Sequence, residues 1–208
     1  MRRIYLLCAT LLALMMSSLS SQAYEVAEVQ IAEVVPATAT HPELKLNGAA
    51  LRELYLLVKS YVGSLYLEQP STSAEDILAD NSTHKRMVFH VLMKKVGARR
   101  IASALQEALI VNISEAEHRQ LHDQIEQMLS YFQGKMHRGE EAWFDFIPQK
   151  GTVVSINGEE KGTIKGDLFF RALLSVWIGE NPVNRDFKNE ILGLNRIVEQ
   201  TSQVAEGN

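Results

Sequence analysis

Cysteine is almost missing from this chain. The 208 residues include one, Cys8, and it lies inside the apolar run that opens the sequence. Past that run, disulfides, thiolate metal sites and thiol nucleophiles are excluded. A lipid anchor would need a cysteine at the end of the run rather than in its middle. Basic charge is not in excess either: 21 Lys and Arg stand against 25 Asp and Glu, a formal net charge of −4. Nucleic-acid binding runs on phosphate neutralisation, so it is not expected. A polybasic grip on a membrane surface is unexpected for the same reason. No later stretch is long and apolar enough to span a bilayer, which takes ~20 helical residues. There is no internal repeat, no low-complexity tract, and no phosphate loop, nucleophile elbow or dinucleotide fingerprint.

What the chain does have begins with a leader. Arg2 and Arg3 precede the apolar run Ile4 to Met16, and Ser21-Gln22-Ala23 offers small residues for cleavage. This is the pattern of a secretory signal over residues 1–23, and it predicts a periplasmic protein. Loss of Arg2 and Arg3 with the leader would move the formal charge from −4 to −6. Residues 24–43 read as an N-terminal strand (Tyr24 to Val35) and a linker, residues 44–200 as one domain, and residues 201–208 as a polar tail.

The domain is organised around Leu46 to Leu67, LNGAALRELYLLVKSYVGSLYL. It is apolar, aromatic and β-branched, and reads as an unusually long strand opened by an Asn47-Gly48 turn. A short helix over Thr72 to Asp80 follows, with Ser71, Thr72 or Ser73 as its cap. Lys85 to Met93 reads as a strand. Ala98 to Asn112 carries Ile101, Ala104, Leu105, Ala108 and Leu109 at helical spacing. Ser114 and Glu117 form a capping box. The helix it opens places Leu121, Ile125, Met128, Leu129 and Phe132 on one face. Ala142 to Pro148 and Thr152 to Ile156 read as strands, and Asn157-Gly158 turns the second back through Lys161 to Ile164. Asp167 is expected to cap a helix, Leu168 to Ile178, that is apolar nearly all round and so buried. A last helix spans about Arg185 to Leu192. The order predicts α+β, with an antiparallel sheet and helices on one face.

Few side chains suggest chemistry. His118 and His122 have metal-ligand spacing on a helix, but no glutamate follows the first and no third ligand is evident. They read as a solvated face, and no metal or cofactor is expected. The acid pairs Glu140-Glu141 and Glu159-Glu160 read as solvated turn charge. Arg52 and Tyr61 are different, because they interrupt the apolar stretch. Nine residues apart, they face opposite sides of a regular strand, and a bulge near Lys59-Ser60 would bring them to one side. Together they would offer a guanidinium fork and a phenol to a carboxylate or enolate. Alternatively, Arg52 pairs with a glutamate on a neighbouring strand.

The blocks LNGAALR, KSYVGSLYLE, PSTSAEDILA, RMVFHVLMKKV, ARRIASALQEAL and VVSINGEEKGTIKGDLFFRALLSVWIGENPV, in that order, resemble the chalcone isomerase-like family over Leu44 to Gly193. The resemblance implies a large curved antiparallel sheet with helices packed on one face and a cleft between them. In the plant enzymes an arginine at the position of Arg52 steadies an oxyanion during flavanone ring closure. The enzymes' strand threonine is matched by Tyr61, and their helix tyrosine and asparagine by Arg100 and Glu107. A glutamate there would repel a phenolate. The family's non-catalytic branch holds a fatty-acid carboxylate with an arginine and a tyrosine, which Arg52 and Tyr61 resemble. The expectation is therefore a non-catalytic binder of a fatty acid or other small apolar acid. The alternatives are an enone isomerase using Arg52 as its catalytic group, or an interaction module with a filled cleft.

Overall fold

The computed structural model describes residues 23–54 and 58–195. The expected leader apart from Ala23, residues 55–57 inside the long apolar stretch, and the polar tail lie outside these.

The chain runs β1 (Ala23–Val26), β2 (Val29–Ala32), β3 (Val34–Val35), β4 (Leu44–Leu54), β5 (Val58–Leu67), α1 (Ala74–Ala79), β6 (Lys85–Val91) and β7 (Lys95–Gly97). It continues through α2 (Ala98–Ile110), α3 (Glu115–Gln120), α4 (His122–Tyr131), β8 (Lys135–His137), β9 (Glu141–Ile147), β10 (Gly151–Ile156), β11 (Glu159–Ile164), α5 (Asp167–Ile178) and α6 (Arg185–Ile191). Seven strands form one curled antiparallel sheet in the order β11-β10-β9-β6-β5-β4-β3. The fold is α+β, with the helices on one face of the sheet.

Alternation sorts the two faces. Along β6, Met87, Phe89 and Val91 join the main core with the helices, while Val88 joins a smaller cluster on the other face. That smaller cluster, built on Ile31, Leu46, Val62 and Tyr66, lies under the β1–β2 hairpin. Arg86 on β6 faces Asp145 on β9 in register and grips its carboxylate with two N–H groups. Such a bidentate cross-strand pair fixes register as well as adding energy. Helix α5 is buried from Phe169 to Ile178 except at Arg171, as its apolar circumference requires. Each of its large side chains contributes roughly 1.5–3 kcal/mol by leaving water.

Several expectations change. The long apolar stretch is two strands, β4 and β5, paired antiparallel. Asn47-Gly48 is no turn but a bulge inside β4, because Leu46 pairs with Tyr66 and Gly48 with Leu65. The Asn47 amide is buried and used: it donates to the Ile191 carbonyl at 2.9 Å and accepts from the Ser71 N–H at 2.7 Å. Tyr24 to Val35 is a hairpin and a two-residue strand, because Ala27 and Glu28 adopt positive φ and turn the chain. The capping box of Ser114 and Glu117 is present, but its helix breaks at Leu121 into α3 and α4. His118 and His122 therefore lie on different helices. Gly166, not Asp167, caps α5. Strands β7 and β8 form a two-stranded ribbon that the sequence pattern did not suggest.

Candidate ligand-binding site

Arg52 ends the regular part of β4, and Tyr61 lies directly opposite it on β5. The hairpin, rather than a kink in one strand, brings them together. Register slips just beyond the pair: Glu53 faces Lys59, which leaves Ser60 as the extra residue of a bulge. The irregularity is where the sequence suggested it, but in a different topology. Both side chains line a cavity of about 620 Å³ between the inner face of the sheet and α2. Its walls are apolar, with Phe89, Val91, Ile101, Leu105, Phe132 and Val176 prominent.

The expected alternative partner for Arg52 is not what the structure places there. Among the described residues no carboxylate lies within ion-pairing distance of its guanidinium, which donates to the Glu53 carbonyl at 2.8 Å. The other donors of its fork remain for a further acceptor.

Tyr61 is held from three sides. Its ring meets Phe89 and Phe187 edge-on, at centroid distances of 5.3 and 5.9 Å. The indole N–H of Trp177 on α5 donates to its hydroxyl oxygen at 3.0 Å. A phenol has one proton to give. With its oxygen accepting from Trp177, that proton is left for an acceptor in the cavity. Burial pushes the phenol up from its ordinary 10.0 to about 12, against the opposing pulls of the Trp177 hydrogen bond and the Arg52 charge. At neutral pH the hydroxyl is therefore a donor, beside a permanent cation. The pair suits an anionic or carbonyl oxygen.

Arg100 and Glu107, both on α2 and both exposed, also line the cavity. The resemblance had carried the plant enzymes' tyrosine and asparagine to these positions. Ser60 lines it too, its hydroxyl turned to the Met93 sulfur at 3.7 Å. Sequence reasoning missed Trp177 as a site residue. The available signal was a lone indole in an otherwise aliphatic and phenylalanine-rich helix, since a buried indole N–H requires an acceptor.

A curled antiparallel sheet under helices encloses an apolar cavity with a cation and a phenol at one place on its wall, a candidate site for a mostly apolar ligand with one polar end. A sequence profile described as chalcone isomerase-like matches residues 23–193. The chain belongs to the chalcone isomerase-like family. Its structure is similar to that of a fatty-acid binding protein of Arabidopsis thaliana, with a TM-score of 0.63 and 16% identity, covering 82% of this chain and 96% of that one. At that identity the likeness concerns the fold. No curated protein sequence matches the chain.

Proposed function

We propose that this protein is a non-catalytic binder of a fatty acid or similar small apolar acid, held by Arg52 and Tyr61 at the carboxylate and by the apolar walls along its chain. The observation that carries the reading is that Arg52 and Tyr61 are register partners facing the same apolar cavity. The Arabidopsis protein of similar fold, which binds fatty acids by its name, supports the ligand class. Glu107 on the cavity wall weighs against phenolate chemistry, because a carboxylate there would repel the anion that ring closure needs. The leader-like residues 1–23 add a periplasmic location to the proposal.

The test is direct. Protein purified natively is denatured, and released small molecules are identified by mass spectrometry, beside an Arg52→Ala variant. A fatty acid is expected in the wild type. In the variant its affinity falls roughly 10- to 150-fold, as follows from ~1.5–3 kcal/mol for hydrogen bonds to a charged group. Equal loading of both proteins, or turnover of chalcone-type enones without a bound acid, would overturn the reading.

A further inference from the structure

Although acidic side chains outnumber basic ones overall, the fold gathers cations at one end of the cavity. Strands β7 and β8 pair so that Val96 lies opposite Met136, and both line the cavity. Alternation then turns Lys95 and His137, and Lys135 beyond them, to the outer face of the ribbon. Lys94 precedes this ribbon and Arg138 follows it. Arg99 and Arg100 occupy the first turn of α2, directly after β7. Lys94, Lys95, Arg99, Arg100, Lys135 and Arg138 are all exposed. Among the described residues none of these six takes part in an ion pair. Acidic groups nearby include Glu140, turned to the His137 backbone N–H at 2.9 Å, Glu141, bonded to His90, Glu107, two turns along α2, and Glu53, opposite Lys59 at the Val58 edge. Two arginines in the first turn of α2, which has no acid there, stand against the helix dipole.

Apolar side chains stand exposed on the same cavity. Val58 is 44% and Val111 63% exposed, and both line it. Val58 begins β5, whose Ser60 carbonyl accepts from the Leu92 N–H at 3.0 Å. The basic ribbon and Val58 are thus neighbours through Met93 and Lys94, while Val111 stands at the far end of α2.

We propose that this end of the molecule docks on an anionic lipid bilayer, with the cations on the headgroups and exposed Val58 toward the hydrocarbon, so that the cavity opens onto the lipid. Charge complementarity and the exposed Val58 beside it together select a bilayer, which offers anion and hydrocarbon at one surface. The choice of a bilayer as source of the occupant rests on the acyl-ligand reading above. The docking itself does not require the ligand.

The experiment is co-sedimentation of the full-length purified protein with vesicles of phosphatidylcholine alone and of phosphatidylcholine mixed with phosphatidylglycerol. Association is expected with the mixed vesicles only, and is expected to weaken as salt shortens the screening length. At about fivefold per cation, reversing two of them in Lys95→Glu with Lys135→Glu should weaken association by at least roughly 25-fold. The control is Lys150→Glu with Lys165→Glu, the same charge change at the opposite end of the sheet, which should bind as the wild type does. Circular dichroism confirms that each variant folds. Equal association with both vesicle types, none with either, or equal loss in the control would overturn the proposal. An acidic protein partner in place of a membrane would give the second result. Mass spectrometry of the same preparations reports the bound acid separately, so an empty cavity and a failed docking are distinguishable.

Discussion

Replacing Tyr61 by Phe removes one oxygen from the cavity wall, yet its larger effect is expected on the other side of that oxygen. Trp177 is fully buried, and its indole N–H donates to the Tyr61 hydroxyl at 3.0 Å. In Tyr61→Phe that N–H keeps its burial and loses its acceptor. An orphaned buried donor costs about 1–3 kcal/mol. For a domain of this size each kcal/mol moves Tm by about 2–4 °C, so the fall is roughly 2 to 12 °C. Trp177→Phe removes the donor instead and adds a packing loss, but it leaves the phenol oxygen facing the cavity, where water or ligand satisfies it. The double variant has neither orphan. It should therefore be less destabilised than the two single changes summed, by about the 1–3 kcal/mol of the orphaned donor. Urea unfolding of all four proteins, with unchanged m-values, measures the coupling. Additivity within ~0.3–0.5 kcal/mol would refute the argument that Trp177 and Tyr61 act as one unit.

Two further outcomes follow from the same geometry. Tyr61 should resist ionisation in an alkaline absorbance titration, keeping its proton to about pH 12. Because that value lies above the phenol's ordinary 10.0, the contribution to stability is complete below about pH 10 and is lost as pH rises through 12. A Tyr61→Phe variant that shows the same alkaline profile would refute this. Gly48→Ala would place a methyl 2.1 Å from the Glu190 carbonyl oxygen and 2.6 Å from that of Ile191. Both are backbone atoms at the end of α6, so the cost should reach or exceed the upper part of the ~1–3 kcal/mol range for overpacking. An unchanged Tm would mean that α6 does not sit on β4 in this way.

What the sequence revealed, it revealed through local physics. The Ser114 box, the Asn157-Gly158 turn and the alternation of β9 depend on residues within a few positions of one another, and all are present. The β4–β5 hairpin was hidden because Glu53 to Leu57 contains no glycine, proline or asparagine to mark a reversal. The Asn47-Gly48 pair carried a turn signal for a non-local reason. Its glycine admits α6, and its asparagine bonds a carbonyl 144 residues away. Arg52 and Tyr61 were conspicuous as polar interruptions of an apolar run. Their meeting depended on the unseen hairpin, and Trp177 joins them from 116 residues away. Summed charge hid the basic end of the cavity, because an average over the chain carries no information about where cations collect.

The cavity itself follows from how α2 is held. Toward the cavity this helix presents Ile101, Ala104, Leu105 and Ala108, and the short alanines leave room there. The helix is also packed, with Ala98, Ala102, Leu105 and Leu109 buried in the core, and its two ends are bonded as well. At one end the Ala98 N–H bonds the Gly134 carbonyl at 3.1 Å, beside the β7–β8 ribbon. At the other end the Asn112 amide donates to the Asn181 carbonyl at 2.9 Å and accepts from the Asn181 N–H at 2.9 Å. Polar bonds at the two ends and the buried face together fix the helix over the cavity. A helix fixed this way leaves apolar surface that only a guest covers, so a bound ligand adds to stability as its concentration exceeds its Kd, by about 2.7 kcal/mol at a hundredfold excess. Substitutions that loosen either end should then weaken ligand binding and its stabilising effect together, since both depend on the same span.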